Sequence, residues 1–229
     1  LCISLGKFNN EYRATKIDGI PLGLQSSKKR IIVATVSGRE YYRIVNVLKD
    51  AGLKFDSMIP EDVAFSDENL IITTKNEANI INSENILVFS EPNYYPTLFK
   101  ARIFKIMLGH YEDDVLIIGV DPGVRIGIFI LYHHTELQRI VQTSPSEAIR
   151  FITIALNGIE AKHKILRIGD GHANIAYCIA HGIKNKFNDA VRIELVDEFG
   201  TSRKTPSNRR GIRDESSAKK IALKKGLLF

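Results

Sequence analysis

Cysteine is scarce: Cys2 and Cys178 are the only two in 229 residues. They form no CxxC pair, which excludes a disulfide framework and a cysteine zinc site and fits a reducing compartment. Long apolar runs are missing too. None reaches the about 18 to 20 residues that a membrane-spanning helix needs, so no membrane partner is expected. The opening segment, LCISLGKFNNEYR, has neither the basic start nor the apolar core of a signal peptide, and a cytoplasmic protein is expected. Between residues 28 and 90 there is no nucleotide-binding glycine pattern.

What is present is positive charge, unevenly placed. The chain carries a net +6, and from Arg203 to Lys225 nine lysines and arginines face only Asp214 and Glu215. Such a stretch is either a solvated face or the footprint of a polyanionic partner.

Taken in order, residues 1–27 read as an arm with a hairpin turning at Asp18-Gly19. KRIIVATV is a strand. Ser37-Gly38-Arg39-Glu40 has capping-box spacing, so a helix starts there, with Tyr41, Ile44, Val45 and Leu48 at helical intervals and a stop at Gly52. Ser37-Gly38-Arg39 either caps this helix or holds an anion. KFDSMI, NLIITT and ENILVFS are further strands, with a short helix or turn from Lys75 to Ile81. Residues 1–91 are thus expected to form a small α/β unit with an N-terminal arm. Residues 92–113 form a connecting helix, centred on Thr97 to Leu108. Tyr94, Tyr95 and Phe99 there serve either base stacking or packing at a junction.

From residue 114 to 229 the pattern is clearer. VLIIGVD, RIGIFILY and LQRIVQT are three strands in succession, which gives an antiparallel meander. Gly127 inside the second implies a bulge or a close approach. Ser144-Pro145-Ser146-Glu147 opens a helix. KILRIGD is a strand ending at Asp170, HANIAYCIAHGI a helix, AVRIELVDE a strand ending at Asp197 and Glu198, and DESSAKKIALKKG a helix beginning near Asp214. The last two strands follow crossover helices and so run parallel to the first. The expected fold class is therefore α/β: a mixed five-stranded sheet, three antiparallel strands then two parallel ones, flanked by helices, plus the small N-terminal α/β unit.

Asp121 ends the first of these strands and is followed at once by Pro122-Gly123. It is either a turn cap or a ligand, because a carboxylate at the edge of a core must be paired, hydrogen-bonded or metal-bound. Asp121, Asp170 and Asp197 each end a parallel strand, at the edge where open sheets bind ligands. Asp214, at a helix start, can add a fourth acid. Acids this close repel, and a divalent cation with oxygen ligands relieves that. Mg²⁺ or Mn²⁺ suits such a set, and two metals about 3.5–4 Å apart could act on a phosphodiester. Glu198 is the alternative to Asp197, since alternate residues face opposite ways. Arg203, Lys204, Arg209, Arg210, Arg213, Lys219 and Lys220 are the candidate nucleic-acid contacts. His172 is a surface residue or a proton shuttle, and His133-His134 is read as loop.

These motifs carry a resemblance. IGVDPGVRIG resembles G-[IV]-D-x-G-x-x-x-x-G, the first-strand motif of the RuvC/YqgF branch of Holliday-junction resolvases within the RNase H-like superfamily. VDEFGTS is similar to its D-E-R-x-[ST]-[ST] motif, with Phe199 in place of Arg, and DESSAKKIAL resembles its last motif. The likeness covers about residues 114–225. It implies an RNase H-like domain with Asp121 as the central metal ligand, Asp214 as the C-terminal one, and Asp170 or Asp197 completing the site. It also implies a metal-dependent endonuclease cutting nucleic acid, branched DNA included, with DNA ranked ahead of RNA; oligomeric state stays open. A non-catalytic nucleic-acid-binding protein on the same fold is the alternative, and an actin- or sugar-kinase-like phosphotransferase ranks below both.

Overall fold

The computed structural model describes residues 16–17, 20–21, 29–63, 69–89, 95–108, 114–198 and 210–229; for 16–17, 20–21 and 210–215 the description extends to the backbone alone. In the arm, β1 (Lys16–Ile17) pairs antiparallel with β2 (Ile20–Pro21), Ile17 opposite Ile20.

The first sheet contains β3 (Ile31–Ala34), β4 (Asp56–Met58), β5 (Leu70–Thr74) and β6 (Ile86–Phe89) in the order β4-β3-β5-β6, every pair parallel. β3 and β5 are buried at every residue, as expected of inner parallel strands covered on both faces. Helix α1 (Gly38–Asp50) crosses from β3 to β4, and the Ser37 hydroxyl accepts the Glu40 N–H at 3.4 Å. Gly52, at φ 67°, ends the turn in the left-handed conformation that glycine adopts without cost.

Helix α2 (Pro96–Leu108) buries Thr97, Phe99, Ala101, Ile103, Phe104 and Met107, a spread around the helix that marks an element covered on several sides. Phe99 meets Phe89 edge-on, with ring centroids 5.2 Å apart. Phe99 is therefore a packing residue; Tyr94 lies outside the described residues. One apolar core runs from Ile31 and Leu70 through Phe99 and Phe104 to Leu116 and Ile193. The connecting helix is thus a layer shared by both sheets.

The second sheet is built from β7 (Val115–Asp121), β8 (Ile126–Tyr132), β9 (Thr135–Gln142), β10 (His163–Gly169), β11 (Arg192–Val196) and β12 (Leu227–Leu228), in the order β12-β11-β10-β7-β8-β9. β7, β8 and β9 are antiparallel, while β10 and β11 run parallel to β7. The five expected strands and their directions are present, and β12 adds a short antiparallel edge. Gly127 makes no bulge: it pairs regularly with Asp121 and Val141, and the irregularity falls at Ile130 and Leu131.

Helix α3 (Pro145–Gly158) starts where its capping signal places it, with the Ser144 hydroxyl accepting the Glu147 N–H at 3.2 Å. It packs with α4 (Ala173–Phe187) on one face of the sheet, and α5 (Arg210–Leu223) covers the other. α5 starts at Arg210, a turn before the expected Asp214. His133 and His134 form the two-residue β8–β9 turn with φ of 45° and 60°, the left-handed pair that a tight hairpin demands. His133 lies in the connection as expected, and its side chain is buried. It is 6% exposed, its Nε2 lies 3.4 Å from Asp114 Oδ1, and burial holds its pKa below the usual histidine value against the pull of Asp114.

Candidate active site

Alternation along β7 sends Leu116, Ile118 and Val120 to the α3–α4 face and Ile117, Gly119 and Asp121 to the α5 face. α5 rests directly on Gly119. A methyl group there would overlap the Ala218 carbonyl and stand 2.7 Å from the Ala222 nitrogen. The absence of a side chain at Gly119 therefore sets how closely the C-terminal helix approaches the strand that carries Asp121. Asp121 itself is half-buried, Pro122 behind it is buried, and Val124 at the turn is 87% exposed.

The neighbouring strand repeats the device. Ile168 of β10 lies opposite Val120, so one residue on, Gly169 falls beside Asp121. The Glu198 side chain lies over Gly169, where a methyl group would overlap its carboxylate. A carboxylate arriving from beyond β11 thus reaches across β10 toward β7, on the face that holds Asp121. Asp197 does not share this position. It is exposed, and its main-chain carbonyl accepts a hydrogen bond from Lys224 at 2.5 Å. Of the two adjacent acids, Glu198 is the one brought to the α5 face, because β11 ends at Val196 with Val196 opposite Gly169.

Asp170 is exposed and acts on the backbone. Its Oδ1 accepts the Glu198 N–H at 3.0 Å, its own N–H donates to the Val196 carbonyl at 3.1 Å, and Gly171 N–H donates to Glu198 Oε1 at 3.2 Å. The loops after β10 and β11 are therefore tied to each other by carboxylate-to-backbone bonds in both directions. Burial pushes the Glu198 carboxyl above the usual glutamate value and the Asp170 charge adds to this, while the Gly171 N–H and His172 pull the other way. His172 is exposed, and its Cδ2 would stand 3.7 Å from a methyl group on Gly123. It thus sits between the Asp121 turn and Glu198.

The backbone of Asp214 is in the second turn of α5, one turn before Ala218, which rests on Gly119. Its side chain lies outside the described residues. What holds α5 in place was not anticipated from the sequence. Arg167 and Glu194, paired across β10 and β11, are 1% and 3% exposed. Arg167 Nε donates to Glu194 Oε2 at 2.8 Å and its Nη1 donates to the Ala222 carbonyl at 2.5 Å, while Gly226 N–H donates to Glu194 Oε2 at 3.3 Å. One guanidinium thereby clamps the last turn of α5, and one carboxylate catches the chain that follows. Burial works against the charged form of Glu194, but Arg167, Gly226 and Arg192 outweigh it and hold the pKa below the usual value. The sequence carried a signal: opposite charges in the middle of two apolar strands, KILRIGD and RIELV.

Of the candidate nucleic-acid contacts, Arg203, Lys204 and Arg209 lie outside the described residues, and Arg210 and Arg213 are placed on α5 by backbone only. Lys219 lies over the Phe129 ring at 5.7 Å and 3.7 Å from Glu136 Oε2, so it helps seat α5 on the sheet. Lys220 is exposed. Among the described residues no three His, Cys, Asp or Glu side chains converge to hold a metal ion. The donor chemistry at this edge, carboxylate oxygen without thiolate, is of the kind that suits Mg²⁺ or Mn²⁺.

No protein-family model matches the chain, and no curated protein sequence does. Among solved structures it is weakly similar to an Argonaute crystallised with externally bound siRNA, at 8% identity and a TM-score of 0.25. That likeness covers 74% of this chain and 35% of the Argonaute chain, so this chain spans about a third of that protein. No helix among the described residues is long and apolar enough to cross a membrane.

Proposed function

We propose that residues 114–229 form an RNase H-like domain of the RuvC/YqgF type that hydrolyses phosphodiester bonds in nucleic acid with a divalent cation. The observation that carries this reading is the convergence at one sheet edge. Asp121 and Glu198 lie on the α5 face, with side-chain-free Gly169 between them, and α5 brings the backbone of Asp214 over the same face. The order β11-β10-β7-β8-β9, with its meander and two parallel strands, agrees with that of RNase H-like sheets.

In this reading Asp121, Glu198 and Asp214 hold Mg²⁺ or Mn²⁺, with Asp170 as a positioning residue that fixes the Glu198 backbone. Asp197 stands outside the ligand set. A divalent cation held there would supply the Lewis acidity that lowers the pKa of a water for attack on phosphorus. His172 moves a proton at its ring nitrogen to or from an oxygen at the edge of the site. Arg203, Lys204, Arg209, Arg210 and Arg213 bind phosphates and make affinity fall with salt.

The test is Mg²⁺- or Mn²⁺-dependent cleavage of junction, duplex and single-stranded DNA and RNA by the wild type and Asp121→Asn. Cleavage by the wild type and background rates for the variant are expected. Salt-sensitive binding without cleavage would select the second reading, a non-catalytic binder. The phosphotransferase reading needs two related halves. The first sheet, all parallel in the order β4-β3-β5-β6, does not duplicate the second.

A further inference from the structure

In the first sheet β3 has β4 on one side and β5 on the other. The chain thus turns to opposite sides of β3, and the crevice beyond the ends of β3 and β5 is where open parallel sheets receive anionic ligands. Glu77, in the turn after β5, is 8% exposed and points into that crevice. Its Oε1 accepts the Val36 N–H at 2.8 Å, from the chain leaving β3. Its Oε2 accepts the Thr74 hydroxyl at 2.5 Å, and the Thr35 hydroxyl also bonds it. Thr35 and Thr74 are each 9% exposed. The Ser37 N–H is also taken, by Thr35 Oγ1 at 3.0 Å. Backbone N–H and hydroxyl groups gathered around a pair of buried oxygens are what a bound phosphate or carboxylate would receive. Here the chain supplies the oxygens itself.

We propose that Glu77 is the resident anion of this crevice: its carboxylate fills the oxyanion position between β3 and β5 and closes the N-terminal sheet to external phosphate. The unit is therefore a sealed platform for α2 and the second sheet, and opening it requires Glu77 to leave. This stands apart from the nuclease reading, since no residue of the second sheet takes part.

Inorganic phosphate is the probe, titrated into the full chain while melting temperature and the Val36 amide resonance are followed. The wild type is expected to show no saturable response, with its Val36 amide protected from hydrogen exchange. Glu77→Ala is expected to melt lower and to regain stability with phosphate in the saturable manner of a ligand bound to the folded state, its Val36 resonance moving in step. Saturable binding by the wild type at Val36 would overturn the proposal, as would a folded Glu77→Ala that ignores phosphate. If Glu77→Ala does not fold, Glu77→Gln and the wild type decide. Glu77→Gln keeps an acceptor for Val36 and fills the same space, so both proteins should remain unresponsive to phosphate with a protected Val36 amide. Fast exchange at that amide in the wild type, or a phosphate response in Glu77→Gln, would refute the plug.

Discussion

Glu77 and Glu198 are the same side chain just beyond the C-terminal ends of parallel strands, yet their surroundings push them in opposite directions. Burial disfavours the charged form of both. Around Glu77 the hydrogen bonds of Thr74, Thr35 and Val36 outweigh burial, and its carboxyl sits below the usual value. Around Glu198 the Gly171 N–H is opposed by the Asp170 carboxylate, and its carboxyl sits above it. The lesson is about completion. A carboxylate whose shell is filled by its own chain is a structural fastener. One that shares its surroundings with a second carboxylate is held toward its neutral form instead.

The strongest way to probe that contrast is to open a filled shell. Arg167→Ala removes the buried guanidinium from Glu194, leaving it Arg192 and the Gly226 N–H, and releases the Ala222 carbonyl. The expected loss is about 3–5 kcal/mol in denaturant unfolding; a loss under about 1 kcal/mol, the scale of an exposed pair, would mean that the clamp is not what seats α5. Next is Gly169→Ala, whose methyl group would overlap the Glu198 carboxylate and stand 2.8 Å from Ile221 Cδ1. Both contacts are ends of flexible side chains that can move aside, so the stability cost lies at the low end of overpacking, about 1 kcal/mol, and the larger effect is on the Glu198 position: nuclease activity, if present in the wild type, should vanish. A variant that melts and cuts like the wild type would show that Glu198 can sit elsewhere. Glu77→Ala strips the Val36 N–H and two buried hydroxyls of their acceptor and should cost about 1–3 kcal/mol, read from the same unfolding curves.

The smallest effect is the most diagnostic, because the two glutamates carry opposite signs. The folded pKa of Glu77 lies below the usual 4.5, so its contribution is complete above that value and is lost as pH falls through the folded pKa. The folded pKa of Glu198 lies above 4.5, so the folded state holds this proton more tightly than the unfolded chain. Its contribution is present at low pH and drains away as pH rises through the raised value. Glu77→Gln should therefore melt below the wild type at neutral pH, and Glu198→Gln above it. Both gaps should narrow on acidification, across different windows. Same-signed shifts at neutral pH would contradict the comparison.

Much of the scaffold could be read from local sequence. Ser37 with Glu40, and Ser144-Pro145 with Glu147, start their helices where the capping pattern puts them. Three consecutive strands followed by two crossovers correctly implied the meander and the parallel pair. Asp121-Pro122-Gly123 marked the end of β7. The positions of the acids were legible in outline. Acids at strand ends were visible, but which of Asp197 and Glu198 turns to the α5 face was not, because it depends on where β11 stops. Glu77 was hidden in a stretch that read as a short helix or turn, and the Arg167–Glu194 clamp required knowing that β10 and β11 pair in that register.

Capping, strand propensity and turn chemistry act within a few residues, so the sequence by itself settled the element types, their order and the edge where the acids gather. The tertiary structure decided which acids are completed and by whom. Those partners come from far along the chain: Asp170 and Glu198 are 28 residues apart, Val36 and Glu77 are 41, and Arg167 and Ala222 are 55. The protonation tendency of a carboxylate is set by the donors and charges within a few ångströms of it, and only the packed fold assembles that neighbourhood.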